Sequence, residues 1–423
     1  MQQLLGLLFI FFCLQVSAQK ILIVNGHLHP VVGNEIMSAL IEIKDGKITG
    51  IKNALSNTYV ASDWDTIIDA TDQHIYPGFV APNSTLGLTE IEAVRATNDY
   101  REVGTFNPHI RTQIAFNAES KVVETVMTNG VLIAQCSPRG GDISGTSSIM
   151  LMGGWNWEDA TIKIDDGVHV NWPATSGGGG WWAEPEPKKQ NEQYKKETAG
   201  IIDFFNLAKT YASAKGIAFD QRLEAMKDCF NGNKRIYFHA NDVQQIADVL
   251  ALVQSMNIPF PVIVGADEAY LLGQRFTDAN IPIMLQRLHR LPEHDEDPVD
   301  LPFRLPAIYA KMGVTFCLQN EGGMEAMNAR NIPFLAGTAM AYGLSHDQAL
   351  ESITINPCKI MGIDQTYGSI EVGKSATLFI SKGSALDMKT HDVTMVLLNG
   401  KVQNTVNFQE KLYLKYQSKY KGE

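Results

Sequence analysis

Histidine carries most of the chemistry open to this chain, because imidazole ligates metals and exchanges protons near neutral pH. The sequence holds 10 histidines, and a single pair is spaced two apart, His27-Leu28-His29. On a strand that spacing puts both rings on one face. The pair reads as structural strand residues, with metal binding as the alternative. His239 closes the apolar run RIYFHA. A polar residue at the carboxyl end of a buried strand sits where α/β folds build their sites. The 5 cysteines form no CxxC pair, which argues against thiolate metal sites and thioredoxin chemistry. Cys136 and Cys317 lie in apolar runs and read as small buried hydrophobes. No GxGxxG follows the first strand, which argues against a dinucleotide fold. A glycine run stands beside Trp181 and Trp182. It suits a lid over a binding site, or a surface loop whose rings pack on the wall beneath.

The elements that must position these residues fall into three stretches. Residues 19–76 read as short strands divided by turn signals, with an Asp45-Gly46 hairpin turn. Residues 77–361 alternate short apolar runs with helical-period stretches, the mark of βαβ units. YPGFVAP, GVLIAQC, SIMLMG, RIYFHA, FPVIVGA, IPIMLQ and GVTFCLQ are the expected buried strands. Their number suits an eight-stranded (β/α)8 TIM barrel better than a short open sheet. A Gly-, Pro- and charge-rich insertion near 173–197 interrupts the pattern. Strands return over 362–407 with an Asn399-Gly400 turn, so both chain ends are expected to pair into one small β-domain. The tail, 408–423, reads as an added strand or a frayed end.

Composition narrows the partners. The chain has 423 residues, 45% hydrophobic and 19% charged, which is globular. A net charge of -11 argues against nucleic acid and against an anionic membrane surface. Residues 4–16 are almost all apolar, too short to span a bilayer, and end at Val16-Ser17-Ala18. They read as a signal peptide over 1–18, giving an exported, periplasmic or secreted protein without a membrane anchor.

In combination, DGKITGI, IYPGFVAPN, TINPCKIMGI, YGSIEVGKSATLFI and VLLNGKV resemble the metal-dependent amidohydrolase superfamily. The resemblance covers nearly the whole mature chain. It points to the imidazolonepropionase-like branch and related Xaa-Pro or N-acyl amino acid hydrolases; GGDISGTSSIMLMGG resembles a segment of one branch. It implies a distorted barrel with a small β-sandwich, and a divalent metal, zinc in the first place, that activates water against a C–N bond. The resemblance places ligands at an HxH after strand one, a Lys or carboxylate on strand four, histidines on strands five and six, and an aspartate on strand eight.

At those positions the chain departs from the pattern. Asn83 and Thr85 stand where the HxH pair is expected, and Gly265 where the strand-six histidine is expected. Gln319 or Asn320 replaces the aspartate, and His239 alone keeps a ligand type. Amide and hydroxyl oxygens are poor zinc ligands. His109, Asp142, Glu90, Glu92, Asp267, Glu268 and Glu321 are the side chains that could substitute. His239 reads as a histidine of a ligand pocket, with Asn83 and Gln319 as hydrogen-bonding groups. Three functions follow: a hydrolase of amide or other C–N bonds with a degenerate metal site; a catalytically inactive relative that binds a ligand, self-associates or pairs with an active amidohydrolase; or a protein whose Trp-rich loop holds sugars or peptides.

Overall fold

The computed structural model describes residues 19–177 and 189–421. The expected signal segment and the proposed lid residues Trp181 and Trp182 lie outside them. The chain opens with a small mixed sheet. β1 (Lys20–Leu28) pairs antiparallel with β2 (Ile36–Lys44), and β2 with β3 (Lys47–Asn53). β4 (Thr66–Asp69) and β5 (His74–Pro77) run parallel to β1.

The chain then enters a second sheet, barrel-like and of eight strands. Its members are β6 (Phe79–Ser84), β7 (Val131–Cys136), β8 (Ile143–Leu151) and β9 (Thr161–Asn171). The short β10 (Ser176–Gly177) and β11 (Lys189–Gln190) pair with each other and tie together the two ends of the inserted loop. β12 (Arg235–Ala240), β13 (Pro261–Gly265), β14 (Ile283–Leu285) and β15 (Phe316–Leu318) complete the barrel-like sheet.

Strand–helix–strand alternation is expected throughout this region, but β7, β8 and β9 form an antiparallel meander instead. Residues 137–142 are too few for a crossover helix, and Gly140 and Gly141, at φ 84 and 66, turn the chain straight back. β9 is absent from the expected strands. The gap between β15 and β6 is bridged by main chain: Leu318 N–H donates to Ser352 (3.0 Å), and Val80 N–H to Ile353 (2.9 Å). The segment leading into TINPCKIMGI therefore closes the ring.

β16 (Leu378–Ser381), β17 (Val393–Leu398) and β18 (Lys401–Val402) return to the first sheet, in the order β18-β17-β16-β5-β1-β2-β3 with β4 beside β1. Strands from both chain ends thus share one eight-stranded sheet, where the resemblance implies a sandwich. Its start and finish also meet: Ile48 N–H donates to Lys374 (2.9 Å) and Ala376 N–H to Gly46 (2.8 Å). The sheet wraps a core that includes Ile23, Ile41, Ile75, Leu378 and Leu397. The turns Asp45-Gly46 (φ 50, 74) and Asn399-Gly400 (φ 46, 73) are both left-handed, as a type I′ hairpin requires. They pack so closely that a Cβ on Gly400 would lie 2.6 Å from Gly46 Cα. The tail is a helix, Phe408–Lys421, and neither a strand nor frayed. Lys411 on Glu124 (2.7 Å) and Gln409 on Thr125 (2.8 Å) dock its first turn.

Candidate active site

The carboxyl ends of β6, β12, β13 and β15 meet at one mouth, and the sheet register sets what each presents. β6 delivers Asn83 at φ 47, a left-handed backbone that asparagine tolerates better than most residues. Its Nδ2 donates to Gln319 Oε1 (3.2 Å), just beyond β15, and to Glu321 Oε2 (2.8 Å). Its Oδ1 accepts from Arg139 Nη1 (2.9 Å), and its carbonyl from Arg139 Nη2 (2.8 Å). Arg139 follows β7 and also binds Glu325 (3.0 Å) and lies 3.9 Å from Glu321. The Thr85 hydroxyl bonds Glu325 as well, and Asn320 Nδ2 lies 3.5 Å from the Glu325 carbonyl.

A second layer fixes this network. Gln135 on β7 accepts the Asn83 N–H (2.9 Å) and donates to the buried Asp166 (2.9 Å). Asp166 on β9 also accepts from Tyr237 (2.5 Å) and Lys163 (2.7 Å). Removing water strengthens every such contact.

β12 brings His239 to the mouth, its Nε2 2.9 Å from Nδ1 of His169 on β9. One ring donates and the other accepts. His239 Nδ1 stands 3.9 Å from Glu321 Oε1, too far for a hydrogen bond and suited to one bridging water. Two buried polar atoms here have no partner among the described residues, His169 Nε2 and Gln319 Nε2.

Burial and charge set the ionisation. Burial lowers His239 to about 4, Glu321 partly opposing and Arg139 reinforcing it. His169 is pushed down by burial and by His239. Both rings are neutral at pH 7. Burial raises Glu321, but Arg139 and His239 outweigh it and hold the carboxyl below its ordinary range. Glu325 goes the other way, raised by burial against the pull of Arg139. A histidine whose folded value lies below 6.5 adds stability that is complete above pH 6.5 and is lost as pH falls towards 4. At about 1.4 kcal/mol per unit, His239 accounts for roughly 3 kcal/mol. The urea midpoint is expected to fall between pH 7 and 5, and to fall less in His239→Asn; equal slopes would contradict this.

A cavity of about 800 Å³ opens on the network, lined by Arg139, Glu321, Glu325, Thr85 and Glu92. Glu90 shares that wall. The other proposed substitutes do not converge on it. Asp267 and Glu268 face a separate recess, paired with Arg290 (2.5 Å) and His294 (2.5 Å). His109 lines another hollow, and Asp142 follows the Gly140-Gly141 turn. Gly265 sits at φ 102, and a Cβ there would collide with the Asn241 amide, so the backbone itself selects glycine.

Arg139, Glu325 and His169 escape a reading of the sequence. Arg139 lies in a loop within SPRGG, and Glu325 in the poorly patterned NEGGME segment. The alternation in GVHVN was the available signal for His169.

Residues 239–406 match the sequence model of the Amidohydrolase family. An amidohydrolase from Thermotoga maritima superposes with a TM-score of 0.78 at 24% identity, over 91% of this chain and 99% of that one. The fold is an amidohydrolase fold. A Xaa-Pro dipeptidase with bound methionine superposes on this amidohydrolase fold at TM-score 0.56 and 14% identity, over 91% of this chain and 100% of its own. A prolidase complexed with N-methylphosphonate-L-proline gives 0.54 and 14%, over 91% and 100%. No curated protein matches the chain. Among the described residues no helix is long and apolar enough to cross a membrane.

Proposed function

We propose that the chain is an exported hydrolase of amide or cyclic-amide C–N bonds whose barrel mouth works without a metal ion. The observation that carries this is the joining of Arg139, Glu321 and His239 at the mouth of an amidohydrolase fold. The residues here do not fit a metal centre. The Asn83 oxygen is taken by a guanidinium, and a fixed cation repels a second one. Among the described residues, no three metal-ligating atoms gather at the mouth.

The same groups supply carbonyl hydrolysis by other means. A water between Glu321 and His239 gives its proton to the ionised Glu321 as its oxygen bonds the carbonyl carbon. The charge of Arg139, which lines the cavity, offsets the negative charge that grows on the carbonyl oxygen. Glu321 then returns the proton to the departing nitrogen as the C–N bond breaks. The names of the dipeptidase and prolidase neighbours favour small acyl-amino-acid or dipeptide substrates.

The test is a screen of N-acyl amino acids, dipeptides and cyclic amides with the mature chain, before and after exhaustive chelation. Turnover that survives chelation is expected. Turnover that chelation abolishes and zinc restores would overturn the metal-free reading. Ligand binding without turnover would instead favour an inactive relative.

A further inference from the structure

Four of the 10 histidines gather far from the mouth, where the small sheet meets the barrel. β1 carries His27, His29 follows one residue past its end, and the parallel register sets His74 of β5 directly beside His27. His346 opens the helix His346–Glu351, which belongs to the barrel region. Glu35, in the turn after β1, lies beneath the rings. Its Oε2 is 3.0 Å from His27 Nε2 and its Oε1 is 2.7 Å from His29 Nδ1.

A carboxylate only accepts, so those two nitrogens carry the protons. His27 Nδ1 and His29 Nε2 then carry no proton, and His29 Nε2 accepts from His74 Nδ1, a bond that an entering ion would replace. A carboxylate that holds the far nitrogen of each ring is the arrangement that orients histidine ligands around a metal. The ring centroids of His27, His29 and His74 lie 4.2–5.2 Å apart, and one ligating atom from each falls within 4.8 Å of the others. His29 Nε2 is 2.9 Å from His74 Nδ1. Tetrahedral ligands about 2.0–2.1 Å from zinc stand roughly 3.3 Å apart, so the rings, whose ligating atoms lie within 4.8 Å of one another, rotate inward to admit the ion. The Tyr76 ring stacks on His29 at 4.4 Å and holds its plane.

We propose that His27, His29 and His74 bind one borderline transition-metal dication, zinc first, with Glu35 as the carboxylate that orients them. Three imidazoles suit zinc, copper or nickel and disfavour magnesium and calcium. A cavity of about 830 Å³, lined by His29, His74, Glu35 and His346, borders the cluster. The ion has room for a water or a small anionic ligand and would clasp β1 and β5 together.

Zinc is titrated into the chelated full chain by calorimetry, and cobalt by its visible absorption. One ion per chain is expected, with the intense d–d bands of four-coordinate cobalt. His29→Gln and His74→Gln are expected to lose the ion, and Glu35→Gln to bind it 10–100-fold more weakly. His239→Ala is expected to bind as the parent does. Cobalt bands from the parent chain keep the test open should His29→Gln fail to fold. No binding to the parent chain, binding unchanged in a folded His74→Gln variant, or loss of the ion in His239→Ala would each overturn the assignment.

Discussion

Arg139→Ala is expected to cost about 3–5 kcal/mol of folding stability, because it leaves two carboxylates in the barrel without their cation. Glu321 and Glu325 both depend on that guanidinium, and Asn83 loses two of its hydrogen bonds. The loss should be largest at high pH and shrink as pH falls, since protonating either carboxyl removes the uncompensated charge. Arg139→Met combined with Glu321→Gln and Glu325→Gln should recover much of the loss, as neutral residues of similar volume need no partner charge. Urea unfolding from pH 5 to pH 8 checks all three. A loss below about 1 kcal/mol would mean that Arg139 is solvated and that the network does not organise the mouth.

The second large effect concerns turnover. Glu321→Gln keeps the shape and can still accept from Asn83 Nδ2, now at 2.8 Å, but it cannot take a proton from water. On the substrate found by the screen, kcat is expected to fall about 10²- to 10⁴-fold, with KM changed far less. The acid limb of the parent profile should lie below the usual glutamate range, because Arg139 and His239 hold Glu321 ionised. A fall of less than tenfold would remove Glu321 from the proton path and leave it as a partner of Arg139.

Much of the scaffold is legible in the amino acids. Apolar strand runs, helical periods and the Asp-Gly and Asn-Gly turns mark elements that local physics dictates. The antiparallel β8 is harder to see, because SIMLMG is equally apolar in either direction and only the short 137–142 link sets its sense. The ring closure at Ser352–Ile353 has no local signature, being a main-chain contact between distant segments.

The site divides in the same way. His239 can be found because strand ends are predictable positions, and Asn83 and Gln319 because the family resemblance expects ligands there. Arg139 and Glu325 reach the mouth from loops, whose course depends on what they pack against. The histidine cluster is the sharpest case. His27 and His29 alone look structural, and their partners His74 and His346 lie 45 or more residues away. Sheet register and the packing of a barrel helix bring them together, and neither is written in the spacing.

On the proposed reading, Arg139 rather than a metal ion organises the mouth of this amidohydrolase fold. Anomalous scattering at the zinc edge, from crystals of the mature chain grown with zinc, tests it most directly. No anomalous peak is expected within bonding distance of His239 or Glu321, and one is expected beside His27, His29 and His74. A strong peak bridging His239 and Glu321, with the Arg139 side chain displaced from Asn83, would contradict it.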